Sequence, residues 1–451
     1  MIEICTLEMA IMKVETVSRE RVKPFSSPSS SSTCRLHKLS LLDQIAPHGY
    51  NPILLFYSTA LSQPQLVYDS LRISLSKTLA YVQPLAGRLK DEFTIECNDD
   101  GVDLVVVNVF DEMSSVLAHP KTDLLRQLLP VNPETASFST RALLMVQINR
   151  FACGGLAVGL CTSHAVTDAM SMTAFLKTWA LINRRGGEND DDENIVAKGF
   201  AVVDCTPFFP PRDVNGFSLI PLNTHAVASS VSTRRLIFDA SKIAALRESA
   251  DLGFRRRPSR VEAVSALIWE AVIAAFQETN PAMKTHIMLS AIDLRSKMQP
   301  PLPQQSIGNI FHVTEAQWEA TDTAAATNYN SLVGKVQESM ERAKKNTFTP
   351  MDFGEEFLNA VKSGIERMRN SEDIGLLMTS SICRIPVYEI DFGFGKPEWV
   401  GNGIRAMNVC ILSDTKNGND IEAFLGLSEE HMNILEHNPN FLSHVSFIQS
   451  L

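Results

Sequence analysis

The stretch Ser163-His164-Ala165-Val166-Thr167-Asp168-Ala169-Met170 sits where the hydrophobic period of the chain changes. Before it, Leu156, Val158 and Leu160 alternate with Ala157, Gly159 and Cys161, which predicts a strand with one face of small residues. After it, Met172, Phe175, Leu176, Trp179 and Ile182 follow helical spacing. Arg184-Arg185 then runs into Gly186-Gly187, a helix stop. A strand, a short loop bearing a histidine and a carboxylate, then a helix: this is an α/β junction of the kind that presents side chains to a cleft.

A neutral imidazole accepts protons near pH 7, so His164 is a candidate general base, with a packed structural histidine as the alternative. Asp168 either orients His164 or anchors the loop, and Thr167-Asp168 also reads as a helix start. Cys161, three residues before His164, raises a Cys/His nucleophile, although its place in the alternating strand favours a packed thiol.

Other chemistry is excluded by what is missing. No G-x-S-x-G elbow is present, which disfavours a serine hydrolase. Asp352-Phe353-Gly354 and Asp391-Phe392-Gly393 look like kinase DFG, but no H-R-D or V-A-I-K accompanies them. Gly393-Phe394-Gly395-Lys396-Pro397 lacks the third glycine of a dinucleotide fingerprint. The acidic run Glu188 to Asn194 lacks calcium-loop spacing and reads as a solvated loop, so no metal is expected. Arg255-Arg256-Arg257, with Arg260, reads as a solvated helix entry.

The 451 residues are 45% hydrophobic and 20% charged, ordinary for globular domains, and their length suits two or three of them. A net charge of -10, from 41 Lys+Arg against 51 Asp+Glu, argues against a nucleic-acid binder. Eight cysteines without a CxxC pair read as reduced thiols of a cytoplasmic protein. No signal peptide and no membrane span are expected.

Strands and helices mix in both halves. Strands are predicted at Lys13 to Val17, Asn51 to Tyr57, Thr94 to Cys97, Val102 to Val107, Ala142 to Asn149, Ser232 to Phe238 and His286 to Asp293, and around Asp391. Asn98-Asp99-Asp100-Gly101 reads as a hairpin turn between the third and fourth of these. Helices are predicted over Gln65 to Ala80, after the Ser259/Glu262 capping box, over Ala324 to Lys345 and Phe353 to Asn370, with a final one from Ser428. The segment 208–231, rich in Pro, Asn, Ser and Thr, divides the chain into domains 1–207 and 232–451.

Two motifs taken together are more specific than either alone. His164-Ala165-Val166-Thr167-Asp168 resembles the HxxxD motif of the plant BAHD acyl-CoA-dependent acyltransferases, and Asp391-Phe392-Gly393-Phe394-Gly395 resembles their DFGWG motif. Supporting matches are Pro84-Leu85-Ala86-Gly87-Arg88, Ile292-Asp293-Leu294-Arg295, Gly308-Asn309 and Ile421-Glu422-Ala423, spread over nearly the whole chain. The segment Cys383-Arg384-Ile385-Pro386-Val387-Tyr388-Glu389 resembles the vinorine-synthase-like branch. Departures are Phe394 in place of the motif tryptophan, a serine-rich 26–32 in place of a proline-rich segment, and a short leader before Met9 or Met12.

The resemblance implies two chloramphenicol-acetyltransferase-like domains with mixed sheets, joined by a crossover loop, with a channel at their interface. It implies acyl-CoA, acetyl-CoA above all, as co-substrate, no permanently bound cofactor, and an alcohol of specialised metabolism (an alkaloid or terpenoid) as acceptor. The residue matching the family base is His164. Asp168 would support its loop, paired with Arg295. Asp391, with Gly393 and Gly395, would be structural, although its aspartate is sometimes placed beside the histidine as an acid/base group. Ser265, Gly308 and Asn309 are possible CoA contacts, and Met170 and Phe311 possible lining groups. A monomer is expected. An amine acceptor, a non-catalytic binding protein of the same fold, and a thioesterase-like hydrolase remain open as alternatives.

Overall fold

Strand-length segments, some apolar runs and others mixed with polar residues, give the first half β1 (Val14–Val22), β2 (Arg35–Lys38), β3 (Tyr50–Tyr57), β4 (Arg88–Asp91), β5 (Thr94–Cys97), β6 (Val102–Val109), β7 (Leu144–Phe151) and β8 (Leu156–Ser163). The second half contributes β9 (Val231–Phe238), β10 (Thr285–Asp293), β11 (Phe311–Glu319), β12 (Ile374–Ser381), β13 (Trp399–Gly401), β14 (Val409–Asp414), β15 (Ile421–Ser428) and β16 (Phe447–Ser450). This computed structural model describes residues 12–25, 35–58, 64–135, 141–186, 204–214, 231–250, 256–320, 328–370 and 373–451. The leader with Met9, the serine-rich 26–32, the acidic run 188–194, linker residues 215–230 and Arg255 lie outside the described residues.

Two open mixed sheets result. The first has the order β1-β6-β7-β8-β3-β13, and the second β11-β10-β12-β14-β15-β9-β16. The pairs β6/β7, β10/β12 and β12/β14 are parallel and the other pairs in these sheets antiparallel. A small sheet, β2-β5-β4, flanks the first. Strand β13 comes from the second half yet pairs with β3, Trp399 opposite Phe56, so the halves are stitched through a shared sheet. No helix among the described residues is long and apolar enough to cross a membrane.

Helices Pro64–Tyr81 and Ala169–Arg184 cover one face of the first sheet. The expected four-residue repeat places Leu71, Leu75 and Leu79 at 0% exposure. Trp179 is equally buried, and its indole N–H donates to the Leu71 carbonyl and Ser74 Oγ at 3.1 and 3.0 Å, which removes the cost of burying it. In the second half, helix Arg260–Thr279 begins at the expected capping box, Ser259 Oγ accepting from the Glu262 amide. It buries Val264, Leu267, Ile268, Ala271 and Phe276 against the seven-stranded sheet. Each of these side chains other than Ala271 contributes roughly 1.5–3 kcal/mol of apolar transfer.

Three expectations are corrected. The turn 98–101 does not close a hairpin: β5 pairs with β2 and β4, whereas β6 pairs with β1 and β7. Gly101, at φ +91°, passes so close to the Val22 carbonyl that a Cβ would lie 2.4 Å from it, and the chain crosses between sheets there. The helix from Ser428 is not the last element; Asn438 caps a short helix, Pro439–His444, and β16 follows on the edge beside β9. The arginines near 257 are not merely solvated. Arg256 pairs with the capping-box Glu262, Arg257 with Glu248 and Arg260 with Asp414.

Candidate active site

Strand β8 is buried along its whole length between β7 and β3. Its small-residue face is required: a Cβ on Gly159 would lie 2.2 Å from the Leu128 carbonyl. The chain leaves the strand at His164, whose amide donates to the Gly49 carbonyl at 2.9 Å, and turns into the helix that starts at Ala169. Asp168 is its N-cap and accepts from the Ser171 amide at 2.8 Å.

Asp168 does more than cap. Arg295, at 0% exposure, donates from Nη1 to Asp168 Oδ2 at 2.9 Å and from Nη2 to Oδ1 at 3.0 Å. This fork-on-fork geometry is the strong form of an ion pair. The Ile310 amide adds a bond to Oδ2 at 3.1 Å. Arg295 also donates to Asp293 Oδ1 at 2.7 Å and to the Ser306 carbonyl at 2.9 Å. Burial alone would raise the Asp168 carboxyl, but the guanidinium and the amides outweigh it and hold it below its ordinary value. The carboxylate is therefore consumed by the second half of the chain and is not hydrogen-bonded to the imidazole.

The partner of the imidazole is Asn309. Its Nδ2 donates to Asp43 Oδ1 at 3.0 Å and to the His164 carbonyl at 2.7 Å. Both targets accept, so the orientation of the amide is determined and Oδ1 must face His164 Nδ1, 3.1 Å away. An amide oxygen only accepts, so Nδ1 carries the proton and donates. Among the described residues nothing bonds Nε2, which keeps its lone pair on a partly exposed residue. Burial lowers the basicity of His164, with its own carbonyl, Asp168 and Asn309 acting in the opposite sense, so the ring is neutral at physiological pH.

Asp43 anchors this arrangement from the first half. Its carboxylate accepts from Asn309 N and Nδ2 and from Ser40 N and Oγ, at 2.7, 3.0, 3.2 and 2.7 Å. Burial pushes the Asp43 carboxyl up, partly offset by these donors. The Ser40-Leu41-Leu42-Asp43 pattern is a capping box on a single helical turn, the one local signal that marks Asp43. Gly308, at φ +135°, lets the chain turn Asn309 inward.

Gly308 and Asn309 form the wall behind His164, with Asn309 at 0% exposure. Ser265 is buried in helix Arg260–Thr279 and is not brought to this cluster. Phe311 is: its ring centroid lies 6.4 Å from that of His164. Cys161 is buried, its thiol pushed far up by desolvation and directed at the Val131 carbonyl, the behaviour of a packed group rather than a nucleophile. Asp391 lies apart. Its Oδ1 accepts from the Gly393 and Gly395 amides at 2.7 and 3.0 Å, and those glycines adopt φ of +107° and +100°. Phe394, in the tryptophan position, packs edge-on to Tyr57 at 4.9 Å between centroids. The Tyr57 hydroxyl donates to the Ile390 carbonyl and Asn183 Nδ2 to that of Phe392, tying this loop to the first half.

With a histidine on the strand-to-helix loop, walled by residues of the other half of a two-domain α/β chain with open mixed sheets, the protein is an acyl-transferring enzyme of the type anticipated. The chain belongs to the Transferase family, the BAHD acyltransferases, whose profile matches residues 12–442. It is 34% identical over 438 residues to a limonoid 21-O-acetyltransferase of Melia azedarach, covering 96% of this chain and 99% of that protein. It is 31% identical over 464 residues to salutaridinol 7-O-acetyltransferase of Papaver somniferum, covering 93% and 95%. The crystal structure of vinorine synthase shares the fold at a TM-score of 0.80, with 30% identity, over 96% of this chain and 98% of that one. F. graminearum TRI101, solved with coenzyme A and T-2 mycotoxin, matches at a TM-score of 0.67 with 17% identity over 92% and 99%, a likeness of fold.

Proposed function

We propose that the protein transfers an acetyl group from acetyl-CoA to a hydroxyl of a polycyclic specialised metabolite, with His164 as general base. The observation that carries this is the fixed tautomer: Asn309 accepts from Nδ1 and leaves Nε2 as the proton acceptor. Nε2 takes the hydroxyl proton as the oxygen attacks the thioester carbonyl. When the C–S bond breaks, the same proton goes to the departing thiolate, so no covalent enzyme intermediate is needed. The aromatic side chain of Phe311 beside the base suits an apolar acceptor. The similarity to limonoid and alkaloid O-acetyltransferases supports an alcohol rather than an amine.

Asp168 and Arg295 belong to this proposal as positioning residues, Asp391 with Gly393 and Gly395 as a structural loop. The domain division at 208–231, a monomeric state and a cytoplasmic location complete it; no disulfide joins the described cysteines, which suits a reducing compartment. The test is CoA release by purified protein given acetyl-CoA and a panel of hydroxylated limonoids and alkaloids, with mass detection of the product. Loss of turnover by roughly 10²–10⁴-fold in His164→Ala is expected, the usual worth of a general base. Full activity in that variant would remove His164 from the mechanism.

A further inference from the structure

The far end of β8 from His164 borders a second concavity. It has a volume of about 430 Å³, within the range of small-molecule sites. Its floor is apolar, with Leu71, Ile148, Phe151 and Leu156 nearly fully buried, and Phe110 at its rim is 47% exposed. The eight residues of β8 put it roughly 26 Å from the base, at about 3.3 Å per strand residue. It is therefore separate from the acyl-transfer site.

Among the described residues a single charged side chain lines this groove, that of Arg150. Its guanidinium lies 5.4 Å from the centre of the Tyr68 ring and makes a marginal 3.5 Å contact with Gln65 Oε1. Among the described residues no carboxylate pairs with it, although the chain is net acidic at -10. On the rim, Lys13 Nζ lies over the Phe110 ring at 4.6 Å, a second cation held by an aromatic face. An apolar trough with an unneutralised, fork-shaped donor at its edge is complementary to one ligand class: an apolar body carrying a single anionic head.

We propose that this groove is a binding site for a small amphiphilic anion, a carboxylate or sulfonate on an alkyl or aryl body, with Arg150 holding the head and Phe110 covering the body. The site goes beyond the acyl-transfer reading and does not depend on it.

The test uses the full chain, anilinonaphthalene sulfonate as fluorescent probe, and decanoate and decanol as competitors. Saturable probe binding displaced by decanoate at least tenfold more effectively than by decanol is expected. Arg150→Gln should weaken decanoate at least tenfold and leave decanol unchanged. Ala152→Trp, which adds an indole at the groove wall, should block both. Circular dichroism checks that each variant folds. Equal binding of decanoate by Arg150→Gln and the parent, equal potency of decanol and decanoate, or complete displacement of the probe by acetyl-CoA would each overturn the proposal. Acyl transfer is read separately in the same samples, so failure of one reading leaves the other standing.

Discussion

Asn309 grips His164 twice: its Oδ1 lies 3.1 Å from the ring Nδ1, and its Nδ2 donates to the His164 carbonyl at 2.7 Å. Ring and backbone are thus set by one amide, itself oriented by Asp43 across a sequence separation of 266 residues. The carboxylate four residues after His164 anchors the loop, whereas the amide fixes which ring nitrogen keeps its lone pair. Asn309→Ala should lower kcat by about 3–10-fold with KM for acetyl-CoA unchanged, because one neutral hydrogen bond to Nδ1 is lost. A loss as large as that of His164→Ala, or a change confined to KM, would contradict this role.

The proposed role of His164 as general base requires the neutral ring. Its basicity is depressed, chiefly by burial, so the acid limb of the kcat/KM profile should have its midpoint below the ordinary histidine value of 6.5. Activity should fall as pH drops through that lowered value and stay level through neutrality. Steady-state rates across pH 4.5 to 8 in constant ionic strength check it. A midpoint above 6.5 would mean that a charge near His164 outweighs its desolvation.

The Asp168–Arg295 pair is buried, so breaking it from one side leaves an uncompensated charge. Asp168→Asn or Arg295→Met should each cost roughly 3–5 kcal/mol. The double variant should cost clearly less than the sum, since both charges leave together. Urea unfolding of the four proteins measures the coupling; additive losses would show that the pair is not energetically linked. Activity in Asp168→Asn should fall, with the acid-limb midpoint moving slightly down, because the Asp168 charge supports the basicity of His164.

What could be read from the sequence was local. The change of period at 163–170 places the junction, and Ser259/Glu262 marks a helix start confirmed atom for atom. Turn chemistry misleads at Asn98-Asp99-Asp100-Gly101, because the same residues serve a hairpin and a crossing between sheets. Arg295 came from resemblance, not from spacing. Asp43 was not legible as a site residue, since its capping-box signal is that of any short helix and its partner lies in the other half. The insertion of β13 beside β3 is equally silent, three residues having no pattern of their own.

The Asp391 loop is predicted to be separable from chemistry. Two amides in left-handed glycine conformations depend on its carboxylate, and the loop is stapled to the first half by Tyr57 and Asn183. Asp391→Ala should reduce thermal stability and soluble yield while KM for acetyl-CoA and the pH profile of the folded fraction stay as in the parent. A shifted acid limb in that variant would return Asp391 to the acid/base machinery.

His286 offers a prediction about stability in acid. It lies at 0% exposure in β10, stacked on Phe276 with ring planes 14° apart and flanked by Trp318. Among the described residues neither ring nitrogen has a hydrogen-bond partner. Burial lowers its pKa from 6.5 to about 4, so the folded state keeps it neutral where the unfolded state takes up a proton. Stability is therefore intact above pH 6.5 and declines as pH falls toward 4, by about 3 kcal/mol over that window at 1.36 kcal/mol per unit. His286→Leu removes both the titration and two unpaired polar atoms, at the cost of some ring packing. Its unfolding free energy should be flatter than the parent's between pH 6.5 and 4, and the difference between the two curves isolates this group from the carboxylates. Parallel curves would show that the imidazole is solvated or paired in the folded protein.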